Sequence, residues 1–266
     1  MLPPPRQLPQ EDDSLLVAVA HGSKDPRAAA TIHALMSLVR DRAGGQGLAG
    51  GDARGAFLDH CAPSLPDVLK ASAELTRDVV LVPLLLTAAY HSKTDIPAQV
   101  AAARAAAPGL RVRQAEPLGP HPLLVAALER RLAEIRPPEL DAPRHDTSVV
   151  LAAAGSADRA ATATIAGLAA RWQASGGWRR VVPAFASAAG PSPAEAVRAL
   201  RAQSDGPVLV ATYLLAPGYF ADKIRAQALG AGATAVSAAL GAAPEVADVI
   251  LSRYLQSSPG RNALAA

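Results

Sequence analysis

Two histidines in this sequence stand where an apolar run stops at a corner of small and polar residues. The stretch LLVAVAHGSKDPRA (15–28) delivers His21, and VVLVPLLLTAAYHSKTDIP (79–97) delivers His91. A third run, ARGAFLD (53–59), ends on Asp59. A neutral imidazole can ligate a borderline divalent cation such as Fe2+, Co2+ or Ni2+, or accept a proton near neutral pH, and a carboxylate can assist either task. The residue types leave ligand and base both open. Lys24, Arg27 and Lys93 flank the histidines and could hold carboxylates of a ligand, and Ser23 and Tyr90 complete the candidate binding set. The blander readings apply elsewhere. His121 in LGPHP can cap a helix, His60 and Cys61 read as packing or surface residues, and His33 and His145 read as solvated.

The elements that must position these groups follow from periodicity. Short, continuously apolar runs bounded by turn residues fit buried parallel strands, here 15–20, 53–59, 79–86 and 110–115. Between them lie helical patterns. Asp25 and Pro26 open one that ends at Gly44-Gly45, Ser64 caps 64–75, Pro97 opens 96–107, and 121–135 closes the set. Strands alternating with helices imply a parallel sheet with helices on both faces. In such sheets ligands sit beyond the carboxyl ends of the strands, where His21, Asp59 and His91 would converge.

The stretch RPPELDAPRHDT (136–147), with three prolines and mixed charges, marks a linker assigned to 139–147, and beyond it the pattern begins again. Residues 17–25 lie against 150–158, 57–64 against 185–192, and 85–91 against 214–220. The chain is therefore expected to hold two α/β lobes related by internal duplication, 14–138 and 148–258, each a four-stranded parallel sheet flanked by helices, with tails at 1–13 and 259–266. Turn-shaping Gly, Ser, Pro and Tyr recur in both halves, whereas His21 faces Ala154, Asp59 faces Ser187, His91 faces Phe220 and His121 faces Ala243. Geometry recurs, and chemistry is confined to the first half.

Composition bounds the rest. The 266 residues carry 26 basic and 23 acidic side chains without a basic block, which gives nucleic acid no footprint. One cysteine excludes an intramolecular disulfide framework and a multi-cysteine zinc site. No apolar run reaches the ~18 residues of a membrane span, and the N-terminal residues lack the regions of a signal peptide. The expectation is a cytoplasmic protein without membrane partners.

The blocks HGSKDPRA, AFLDHCAPSLPDVL, VVLVPLLLTAAYHSKTDIP and PLGPHPLL resemble the CbiX/SirB-type sirohydrochlorin chelatases, class II chelatases, in their long tandem form. The resemblance implies two chelatase-like lobes with the tetrapyrrole, sirohydrochlorin, between them. It implies His21 and His91 as metal-handling residues, a divalent metal (Fe2+, Co2+ or Ni2+) as substrate, and no organic cofactor. Where that family often has Glu in FLE, this chain has Asp59, one methylene shorter. A monomer suffices for a duplicated chain, with a dimer left open. Another class of reading is a tetrapyrrole or metal carrier of the same fold, and a third is a two-lobed periplasmic binding protein.

Overall fold

The computed structural model describes residues 14–45, 53–87, 94–135 and 142–258. The expected tails, residues 139–141 of the linker, and His91, Tyr90 and Lys93 lie outside the described residues. The first half runs β1 (Leu15–Ala20), α1 (Pro26–Gly45), β2 (Arg54–Phe57), α2 (Leu65–Ala73), β3 (Asp78–Pro83), α3 (Ile96–Ala106), β4 (Arg111–Gln114) and α4 (Pro122–Ile135). The second half repeats it as β5 (Ser148–Ala153), α5 (Arg159–Gly176), β6 (Arg180–Phe185), α6 (Pro193–Arg201), β7 (Val208–Tyr213), α7 (Tyr219–Gly230), β8 (Ala235–Val236) and α8 (Pro244–Ser257). Both sheets are parallel, ordered β2-β1-β3-β4 and β6-β5-β7-β8. The second and third strands stop earlier than their apolar runs, at Phe57 and Pro83, and the remaining residues become loop.

The duplication is exact in register where the sequence could only suggest it. Leu15 pairs with Val79 and Ser148 with Val208, so the same residues of each half share a rung. Asp59 N–H donates to the His21 carbonyl and Ser187 N–H to the Ala154 carbonyl, each at 2.9 Å. Ser64 and Ser192 accept from the third residue of α2 and α6, and Ser192 and Glu195 close a full capping box.

β1, β5 and β7 are buried along their whole length, because both faces of each central sheet are covered. Leu16, Ala18 and Ala20 share one core with Val149, Leu151 and Ala153, and with residues of α1, α4, α5 and α8. The alternate residues, Leu15, Val17 and Val19 or Val150 and Ala152, face two separate outer cores under α2/α3 and α6/α7. The last helices are exchanged: α4 packs on β7 and β8 of the second sheet, and α8 packs on β3 of the first.

Polar ties follow the same crossing. The Arg42 guanidinium on α1 pairs with Asp248 on α8 at 2.6 Å, Tyr254 Oη donates to the Ser14 carbonyl at 2.5 Å, and Arg253 Nε donates to the Pro117 carbonyl at 2.8 Å. Glu129 Oε1 on α4 accepts from the indoles of Trp172 and Trp178 at 2.7 and 2.9 Å.

His121 stands at the start of the exchanged helix α4, and its Nδ1 accepts from Leu123 N–H at 3.2 Å. Burial, and then the Arg253 charge, lower its pKa. The unfolded chain therefore binds this proton first, so the contribution to stability is complete above the ordinary imidazole value of ~6.5 and falls away as pH drops below it. His121→Asn keeps an acceptor for Leu123 and removes the ionisation. Urea midpoints should fall less for this variant than for wild type between about pH 7.5 and 5.5, and superimposable profiles would refute the assignment.

Candidate functional site

A cleft of about 650 Å³ opens between the lobes at the carboxyl ends of β1 and β3 on one side and β5 and β7 on the other. The first lobe contributes His21, Ser23, Lys24, His60 and Leu84–Thr87; the second contributes Ala154–Ser156 and Leu214–Ala221. Each group is set by a corner that both halves build in the same way.

Gly22 (φ 94°) and Gly155 (φ 93°) turn the chain after the first strand of each half. A Cβ at Gly22 would overlap the Asp59 carbonyl, and one at Gly155 the Ser187 carbonyl. Only glycine combines that backbone conformation with so close an approach. In the first half the corner is tied further: Ser23 N–H reaches Cys61 Sγ at 3.5 Å and Cys61 Sγ donates to the Ser23 carbonyl at 3.1 Å. The lone cysteine is thus a fastener between two loops. Beside it the half-buried His21 ring places Nδ1 3.2 Å from the Gly22 carbonyl. That carbonyl can only accept, so the proton belongs on Nδ1 and the lone pair on Nε2.

The second corner departs from the sequence-based expectation. Asp59 does not line the cleft; its side chain is 63% exposed. The reason is local. His60 adopts φ 63°, as its counterpart Ala188 does at 59°, and this left-handed residue reverses the direction in which successive side chains leave the loop. His60 is therefore the residue presented to the cleft, with its ring centroid 6.4 Å from that of His21. Asp59 stands behind it, its carboxylate 3.4 Å from His60 Nε2 and accepting from His60 N–H at 2.7 Å. The half-to-half comparison held the signal for His60, since it faces Ala188 just as His21 faces Ala154.

Of the candidate binding residues, Ser23 and Lys24 line the cleft. Arg27 does not: it is clamped between Asp25 and, across the lobes, Asp222, with Nη2 2.6 Å from each carboxylate. Its hydrogen bonds hold the Asp25 carboxyl below the ordinary value. His33 lies edge-on to Phe57 at 5.7 Å, outside the cleft lining. Among the described residues no three His, Cys, Asp or Glu side chains gather closely enough to hold a metal ion.

A duplicated α/β protein with a ligand cleft between its halves is the class that fold and site define, and comparison with known proteins narrows it. The CbiX family model matches residues 15–135 and again residues 148–257. The chain belongs to the CbiX family. It is 29% identical over 146 residues to the sirohydrochlorin ferrochelatase of Bacillus subtilis (strain 168), covering 55% of this chain and 54% of that protein. It is 29% identical over 172 residues to the sirohydrochlorin ferrochelatase of Priestia megaterium, covering 64% and 62%. The chain thus spans little more than half the length of these curated relatives. In structure it resembles SirB from Bacillus subtilis with Fe3+, with a TM-score of 0.80 at 23% identity over 94% of this chain and 98% of that one. That likeness establishes the shared fold, including both lobes.

The Gly22 corner generates a stability test. Gly22→Ala should lower unfolding free energy by about 2 kcal/mol or more, from an unfavourable φ plus overlap with backbone. Gly44→Ala, at a helical position with open space around it, should change stability by less than about 1 kcal/mol. Equal denaturation midpoints for the two variants would contradict the geometry.

Proposed function

We propose that this chain is a sirohydrochlorin chelatase that inserts Fe2+ or Co2+ into the macrocycle held between its lobes. The observation that carries this reading is the inter-lobe cleft, largely apolar, with the His21 and His60 imidazoles and Lys24 on one wall. Membership of the CbiX family and the names of the curated relatives support the substrate.

The chemistry asks for three things. The ion must exchange water for ring nitrogens, the ring must bend so that its lone pairs reach the ion, and two pyrrole N–H bonds must break. Four metal–nitrogen bonds form, two protons leave, and no electron changes hands. No organic cofactor is required. Ni2+ competes for the same nitrogen ligands, so supply contributes to which ion is used.

In this reading His21 offers Nε2 first to the ion and then to a pyrrole proton. His60 is its partner on the same wall, with Asp59 as a positioning residue that orients the His60 ring and stabilises its protonated form, as carboxylates behind catalytic imidazoles do. His91 joins them on the strength of its sequence position after β3. Ser23 and Lys24 would hold substrate carboxylates, with Tyr90 and Lys93 assigned there from sequence alone. Both walls belong to one chain, so a monomer is a complete unit.

Wild-type protein, sirohydrochlorin and each metal ion, followed anaerobically by absorbance, should show insertion faster than in buffer. His21→Ala should lower kcat/KM by about 100-fold, His60→Ala by about tenfold, and Asp59→Asn less than His60→Ala, as expected of removed acid–base groups and their support. His21→Ala at the wild-type rate would remove the site, and binding without acceleration would make the protein a carrier.

A further inference from the structure

We propose that Tyr219 and Phe220 form an apolar platform for one face of the flat macrocycle, leaving the opposite face to the His21 wall, from which the metal enters. This rests on the chelatase reading above and assigns a role to the second lobe.

The chain is poor in aromatic residues, with three Phe, four Tyr and two Trp in all. Among the described residues the large apolar side chains left exposed are Leu75, Tyr219, Phe220 and Leu229. Two of the four are adjacent in sequence and both line the cleft. Tyr219 is 72% exposed and Phe220 38% exposed, with ring centroids 5.4 Å apart at 66°. One ring can lie flat against a conjugated plane while the other meets it edge-on, the two arrangements that aromatic contacts favour. Paired exposed aromatics in a concave site are a surface awaiting a partner.

Their neighbours point the same way. The second lobe's share of the wall carries no ionisable group except the phenols of Tyr213 and Tyr219, whereas the first lobe supplies His21, His60 and Lys24. The cleft is therefore chemically two-sided. A tetrapyrrole has an apolar conjugated face, and its nitrogen lone pairs need be reached from only one side. In the half-to-half alignment Phe220 occupies the place of His91, so a phenyl ring stands where the first half has an imidazole.

The platform is also held at a fixed spacing. Tyr219 and Phe220 form the first turn of α7, which is anchored in the outer core by Ile224 and Ala228. Asp222, on the same turn, is tied to Arg27 of the first lobe.

Titrating metal-free sirohydrochlorin into the protein, with no metal added, isolates binding from chemistry. Tyr219→Ala/Phe220→Ala should weaken binding on the order of tenfold or more, and should raise KM far more than it lowers kcat. Phe220→Trp, which keeps a flat ring, should stay within about threefold of wild type, and Leu229→Ala, exposed on the same helix outside the cleft, should be unchanged. Thermal melts of all variants should coincide with wild type, because the substituted rings are exposed. If wild type binds and turns over sirohydrochlorin while the double variant binds equally well, the platform is overturned and the chelatase reading stands. If wild type itself does not bind sirohydrochlorin, both fall together.

Discussion

The exchange of the two last helices is the constraint on which the rest depends. With α4 lying on β7 and β8, and α8 on β3, neither sheet has its inner face covered by its own half alone. Leu124, Leu128 and Leu132 of α4 and Val246, Val249 and Ile250 of α8 are at most 2% exposed, all within one core that joins both sheets. At roughly 1.5–3 kcal/mol for each such side chain fully buried, exposing these six would cost about as much as the 5–15 kcal/mol by which a whole domain is stabilised. The cleft is consequently a fixed feature with walls held by a common interior, and its width does not rest on a hinge. The surface pairs that cross between halves, Arg42–Asp248 and Arg27–Asp222, are partly or largely solvated and contribute little to stability. They set local orientation on a frame that apolar packing already fixes.

How much of this was legible in the sequence can be judged residue by residue. The strands could be read because central parallel strands are near-continuous apolar runs, as LLVAVA is throughout and SVVLAA is after Ser148. The duplication could be read because turn geometry demands particular residues: Gly22 and Gly155 take the same positive φ against the same carbonyl, and Ser64 and Ser192 cap the same helix. The exchange could not be read. An amphipathic helix declares which of its faces is buried but not which sheet covers it, and the two halves carry equivalent patterns.

The site was legible in position and less so in detail. At the corner after β2 the expected side chain was Asp59, and the residue that lines the cleft there is His60. Residue alternation assumes ordinary backbone, and the left-handed conformation of His60 breaks that assumption at the one place that matters. Arg27 shows a different gap. Its sequence neighbours suggest a free base near a helix start, and its partner Asp222 lies in the other half of the chain, where local reasoning does not reach.

Duplication followed by divergence explains why the two walls differ. A symmetric cleft with imidazoles on both sides would present competing sites to a single ion and would leave a macrocycle without a preferred face. The second half builds the same corner without imidazoles, because it is held by glycine, by backbone hydrogen bonds and by a left-handed residue that is Ala188 in place of His60. Phe220 stands at the place of His91 and, beside Tyr219, makes apolar surface of the first turn of α7. In the proposed chelatase, binding energy gained on that surface is available on the other side of the ring, where desolvating an ion and bending a conjugated plane both have to be offset.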